Sequence, residues 1–80
     1  MLARARNAKA KDATHMLAAQ LIAAKLNVLN GAYASEEVLE AIDDADAFLT
    51  AHPYGSNPRG ADRSYALALK DTLDDFNNGY

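Results

Sequence analysis

His15 and His52 are the only histidines in a chain without cysteine, so a metal centre or an acid–base pair would have to be assembled from imidazoles and carboxylates. Asp12 stands three residues before His15. A helical reading puts His15 at the start of a first helix and His52 at the end of a second, which are neighbouring ends in an up-down arrangement. Asp12, His15 and His52 are therefore the candidate metal- or ligand-binding set. The same Asp-x-x-His spacing is common at helix starts, with aspartate as cap and histidine at an edge, and this is the preferred reading. Calcium chemistry is disfavoured. Asp43, Asp44 and Asp46 are not spaced as a loop that wraps oxygens around an ion, and in Asp74 to Gly79 the apolar Phe76 occupies a ligand position. Ser35, Ser56, Ser64 and Thr72 have no base at a diagnostic spacing, and there is neither a glycine-rich phosphate loop nor a nucleophile elbow. No catalytic residue, cofactor site or metal site is assigned.

The amides point to structure instead. Gln20 and Asn27 lie one heptad apart on the most apolar segment, and Asn77 with Asn78 closes the last helix. Buried amides must be hydrogen-bonded, so these four are expected to form a polar clamp.

Charge is distributed unevenly behind a net value of −3. Arg4, Arg6, Lys9 and Lys11 make the N-terminus basic, and Glu36, Glu37, Glu40, Asp43, Asp44 and Asp46 make the middle acidic. Nucleic acid would meet an acidic body behind one short basic arm, which argues against that partner. Lys9 and Lys11 precede the first helix while Asp71, Asp74 and Asp75 end the third, each opposed to its helix dipole. These regions fall at opposite ends of a three-helix bundle and can neutralise one another only between chains. Arg4, Arg6, Lys9, Lys11, Asp71, Asp74 and Asp75 are thus candidate interaction residues. A head-to-tail contact through them would build a ring or a filament, and the competing reading is a set of screened surface charges.

The elements that must position these groups are three helices near 13–30, 35–52 and 63–78, in an all-α, up-down-up bundle spanning 12–80 behind a basic arm or helical extension at 1–11. Asp12 or Thr14 caps the first helix, whose Leu17, Leu21, Leu26 and Val28, with Met16, Ile22 and Leu29, surround more than half the cylinder; Asn30-Gly31 stops it. Ser35 caps the second, with Val38, Ile42, Ala45 and Leu49 on one stripe beside Leu39 and Phe48, and Pro53 ends it. Residues 53–63 form a loop in which Tyr54 is expected to fold back onto the bundle. Asp62 or Ser64 caps the third helix, which carries Ala66, Leu69, Leu73 and Phe76 inward.

Eighty residues make one small domain with a thin stability margin and no disulfide to reinforce it. Lys25 and its polar neighbours interrupt the best candidate for a membrane span, and an export signal, if any, is expected outside this chain. A first helix apolar on so many sides calls for cover from a protein partner, another domain of the same assembly or a second copy.

The strings LAAQLIAAKLNVLNGA (Leu17–Ala32), AIDDADAFL (Ala41–Leu49), PYGSNP (Pro53–Pro58) and LKDTLDDFNNG (Leu69–Gly79) resemble a poorly characterised helical module of large exported bacterial multidomain proteins. The matching positions are Gln20, Lys25, Asn27, Gly31, Asp46, Asp74, Asn77, Asn78 and Gly79. The resemblance implies an extracytoplasmic, non-enzymatic structural or interaction module. Upstream, where such modules carry aromatics, a Trp and a His-Pro step, this chain has only the basic stretch Leu2–Ala10.

Overall fold

Helix formation begins at Asp12, whose extended backbone and carboxylate cap the first turn, Oδ1 accepting from the Thr14 N–H at 2.9 Å. The structure, a computed structural model, describes residues 12–79. These form α1 (Ala13–Leu29), α2 (Glu36–Ala51) and α3 (Gly60–Asn77), with no strand among the described residues. The basic arm at 1–11 lies outside the described residues.

Each boundary has a local cause. Gly31, at φ 96°, ends α1 by a Schellman arrangement: the Ala32 N–H donates to the Asn27 carbonyl at 2.9 Å and the Gly31 N–H to the Val28 carbonyl at 3.0 Å. Ser35 caps α2 by accepting from the Val38 N–H, and Glu36 and Glu37 occupy the first turn where the helix dipole favours acids. The third helix starts earlier than expected. Neither Asp62 nor Ser64 caps it; Arg59 is the N-cap and contributes no side-chain hydrogen bond. Pro58 is buried at the end of the loop, and the chain enters α3 two residues after it. Asp62 then falls inside the first turn, where its charge still complements the dipole.

Three cross-links establish an up-down-up bundle. Lys25 of α1 reaches Asp46 of α2 at 2.8 Å, Asn27 reaches Asn77 at 2.8 Å, and Thr14 accepts from Gly55 in the α2–α3 loop at 2.8 Å. The core is Leu17, Leu21, Val38, Phe48, Leu69, Leu73 and Phe76, interleaved with alanines on every helix, among them Ala24, Ala45 and Ala66, each wholly buried. The inward stripe of α3 is the one its periodicity predicts. On α2 the centre shifts by part of a turn: Ala41 and Phe48 join Val38 and Ala45, Ile42 and Leu49 sit at the margin, and Leu39 is exposed.

The rotation of α1 about its own axis follows from its polar residues. At 100° per residue, Gln20 and Asn27 fall on the α3 side, Lys25 on the α2 side, and Leu17, Leu21 and Ala24 between them. The remaining arc carries Ile22, Leu26 and Leu29, which are 61%, 54% and 81% exposed. The clamp holding this setting is short and reciprocal. Asn77 Nδ2 donates to the Gln20 carbonyl at 3.0 Å and to Gln20 Oε1 at 2.7 Å, while Asn77 Oδ1 accepts from Asn27 Nδ2 at 2.8 Å. Asn78 is not part of it: its side chain is exposed and turns back to Asp74 Oδ1 at 3.3 Å.

Replacing Asn77 by Leu removes two donors and one acceptor from partners that then lack them, and is expected to lower the free energy of unfolding by about 1–3 kcal/mol. Urea denaturation followed by circular dichroism checks this; an unchanged midpoint would contradict the clamp's role.

Candidate interaction surface

The end of the molecule that holds both histidines is built around Asp12 and Thr14, which are 7% and 0% exposed. The Thr14 hydroxyl donates to Asp12 Oδ1 at 2.8 Å and accepts from the Gly55 N–H at 2.8 Å, so one relay ties the α2–α3 loop to the start of α1. Burial by itself would raise the Asp12 pKa. The hydrogen bonds from the Thr14 hydroxyl and N–H, the neighbouring His15 and the Asn57 N–H together outweigh burial and hold the carboxyl below the ordinary aspartate range.

His15 Nε2 stands 3.8 Å from Asp12 Oδ2, and Tyr54 sets its ring edge-on to the imidazole, centroids 4.1 Å apart. Tyr54 thus folds back as expected, although 67% of it stays exposed. His15 Nδ1 is buried without a hydrogen-bond partner. With the proton on Nε2, facing Asp12, that nitrogen is a bare acceptor, which costs less than an orphaned N–H. His52 engages another set: its ring stacks on Phe48 at 4.3 Å and its Nε2 lies 3.9 Å from Asp62 Oδ2. The two histidines therefore serve separate aspartates, and among the described residues no group of three His, Asp or Glu is placed to hold a metal ion. The corner is a fastening between a loop and two helix ends.

The surface with unspent potential for contact lies on α1. Ile22, Leu26 and Leu29, with Ala19 on the same arc, form an apolar stripe that neither α2 nor α3 covers, and the exposed Tyr33 continues beyond its C-terminal end. Fully burying side chains of this size is worth roughly 1.5–3 kcal/mol each, so the stripe is the largest unused hydrophobic resource among the described residues. Lys25 is the one lysine or arginine of α1 and is neutralised across the α1–α2 seam by Asp46; the stripe therefore carries no unpaired charge of its own. Beyond the seam Leu39 is 46% exposed, and Glu36, Glu40, Asp43 and Asp44 occupy the outer face of α2.

Acidic side chains concentrate at one end of the bundle. Glu37 at the start of α2 and Asp75 at the end of α3 line one shallow cleft with Ser35, Val38, Thr72 and Phe76, so Glu36, Glu37, Asp71, Asp74 and Asp75 gather at one end. Asp71 is in contact with Lys70 at 2.7 Å, and Asp74 accepts from Asn78. Arg59 and Arg63 stand at the opposite end, beside Asn57 and Pro58, together with the acidic Asp12 and Asp62; Arg4, Arg6, Lys9 and Lys11 lie outside the described residues. Sequence reasoning named three members of the amide clamp, Gln20, Asn27 and Asn77. It missed the Lys25–Asp46 bridge and the Thr14 relay, because both depend on pairings across 21 and 41 residues.

The chain gives no match to any family model, to any curated protein or to any solved structure. Among the described residues no helix is long and apolar enough to cross a membrane.

Two measurements follow from the relay. Thr14→Val keeps the shape but strands the Gly55 N–H, and is expected to cost about 1–3 kcal/mol and to speed amide exchange at Gly55; full protection of that amide would contradict the relay. Because the Asp12 pKa is lowered on folding, Asp12 contributes its full stabilisation above its unfolded pKa of about 4, and loses it as pH falls through the lower folded value. Urea midpoints measured from pH 6 to pH 2 (about the range of interest) should fall less steeply in Asp12→Asn than in the native chain, and parallel profiles would refute the assignment.

Proposed function

We propose that this domain is a non-catalytic protein-association module whose contact surface is the outer arc of α1. The observation that carries the reading is the exposure of Ile22, Leu26 and Leu29 on a helix whose other side is fully packed. A contiguous apolar stripe flanked by polar surface is the usual mark of a protein–protein contact, whereas isolated exposed leucines are ordinary. The polar groups that could serve chemistry are engaged in holding the fold: Asp12, Thr14, Gln20, Asn27 and Asn77 all bond to one another or to the loop. The resemblance of QLIAAKLN and LDxxNNG to modules of exported bacterial proteins supports placing the contact outside the cytoplasm, within a larger assembly. Four of the positions that carry the resemblance, Gln20, Asn27, Asn77 and Gly31, are those that clamp or terminate helices here, which fits a scaffold rather than a reaction centre.

A photo-crosslinking residue at position 26, introduced in the producing cell, tests the surface. A discrete adduct is expected from position 26 and none from position 44, on the acidic outer face of α2. Equal yields from both positions, or none from 26, would count against the reading.

A further inference from the structure

We infer that Asn78-Gly79 is a site of spontaneous deamidation, and that the carboxylate it leaves behind loosens the Asn77 clamp. The inference is independent of the α1 surface.

The chemistry belongs to the Asn-Gly step. The glycine nitrogen attacks the asparagine side-chain carbonyl carbon; an N–Cγ bond forms, the Cγ–Nδ2 bond breaks, and ammonia leaves with the proton of the attacking nitrogen. Water then opens the five-membered imide to aspartate or isoaspartate. Glycine favours the attack because no Cβ shields its nitrogen. The chain has two such steps, Asn30-Gly31 and Asn78-Gly79, and both asparagines are exposed helix C-caps.

Closed caps hold both steps back. Asn30 has φ −87° and ψ 10°, Asn78 has φ −90° and ψ 6°, and the glycines that follow are left-handed at φ 96° and 93°. Ring closure needs the glycine nitrogen swung round the Cα–C bond to the side of Cβ, well away from these ψ values. Both nitrogens are also engaged: the Gly31 N–H donates to the Val28 carbonyl at 3.0 Å and the Gly79 N–H to the Phe76 carbonyl at 3.1 Å. The reaction therefore proceeds through opened caps, and its rate follows the fraction of time that the last turn is undone.

The two turns differ in what opposes them. α1 contains neither Asp nor Glu. On α3 Lys70 answers Asp71 at 2.7 Å, but Asp74 and Asp75 stand in a last turn with no basic residue, against the negative end of the helix dipole. That turn opens more readily, and Asn78 reacts before Asn30. The products differ as well. Asn78 Nδ2 donates to Asp74 Oδ1 at 3.3 Å; a carboxylate in its place meets a carboxylate and adds another charge of the wrong sign to the helix end. Asn77, one residue earlier, holds Gln20 and Asn27, so the link between α1 and α3 loosens with the turn.

Peptide mapping by mass spectrometry, on the full chain aged in the folded state in mildly alkaline buffer, is the test. Asn78 is expected to convert several-fold faster than Asn30, with the two rates converging when the chain is held unfolded in guanidinium chloride. Asp75→Lys, which sets a cation in the last turn of α3, should slow Asn78 several-fold and leave Asn30 unchanged. Asn78→Asp, which supplies the product directly, should speed hydrogen exchange of the Asn77 side-chain amide several-fold, whereas Asn30→Asp should not. Equal rates at the two asparagines in the folded chain, the same ratio folded and unfolded, an Asn78 rate indifferent to Asp75→Lys, or an Asn77 amide as protected in Asn78→Asp as in the native chain would each overturn the proposal.

Discussion

The rotational setting of α1 is the constraint from which the rest of this molecule follows. An evenly apolar helix has no preferred inward face, since burying any arc of it releases a similar free energy. Polar residues break that degeneracy. The Asn77 amide grips Gln20 and Asn27 from α3, and the Thr14 hydroxyl holds the loop at Gly55. Lys25 adds an exposed tie to Asp46, worth less because water screens it. Misrotation by a quarter turn would bury or orphan these groups at a cost of about 1–3 kcal/mol each, more than the difference between one greasy arc and another.

From that setting comes the division of the helix into two apolar faces with different fates. Leu17, Leu21 and Ala24 join Phe48, Leu69, Leu73 and Phe76 in a core thinned by alanine, so the three helices enclose few large side chains. Two companions can cover only part of a cylinder, and Ile22, Leu26 and Leu29 are left over. The uncovered stripe is thus a by-product of specifying the bundle with side-chain amides, and a contact partner would recover the free energy the single chain leaves unused.

Much of this was legible in the residues. A cap at Asp12 or Thr14, the cap at Ser35, the stop at Asn30-Gly31, the inward stripe of α3 and the engagement of Gln20, Asn27 and Asn77 in a polar clamp follow from spacing and residue type. The start of α3 was not, because no capping side chain marks it: the N-cap is Arg59, directly after the buried Pro58. Asn78 was placed in the clamp on the strength of its neighbour; its register at the helix end turns it to solvent and to Asp74. Nor could periodicity say which arc of α1 would face out, since Leu and Ile populate all of it; that choice lies in contacts across as many as 57 residues.

The bare outer arc of α1 in the single chain is most directly measured by methyl NMR with a soluble paramagnetic probe, at a dilution where the chain is monomeric. Strong relaxation of the Ile22, Leu26 and Leu29 methyls, with Leu17, Leu21 and Leu73 shielded, is the pattern this structure requires. Methyls of Ile22 and Leu26 as well shielded as those of Leu17 would mean that the chain covers its own first helix, and the reading of that arc as a contact surface would be wrong.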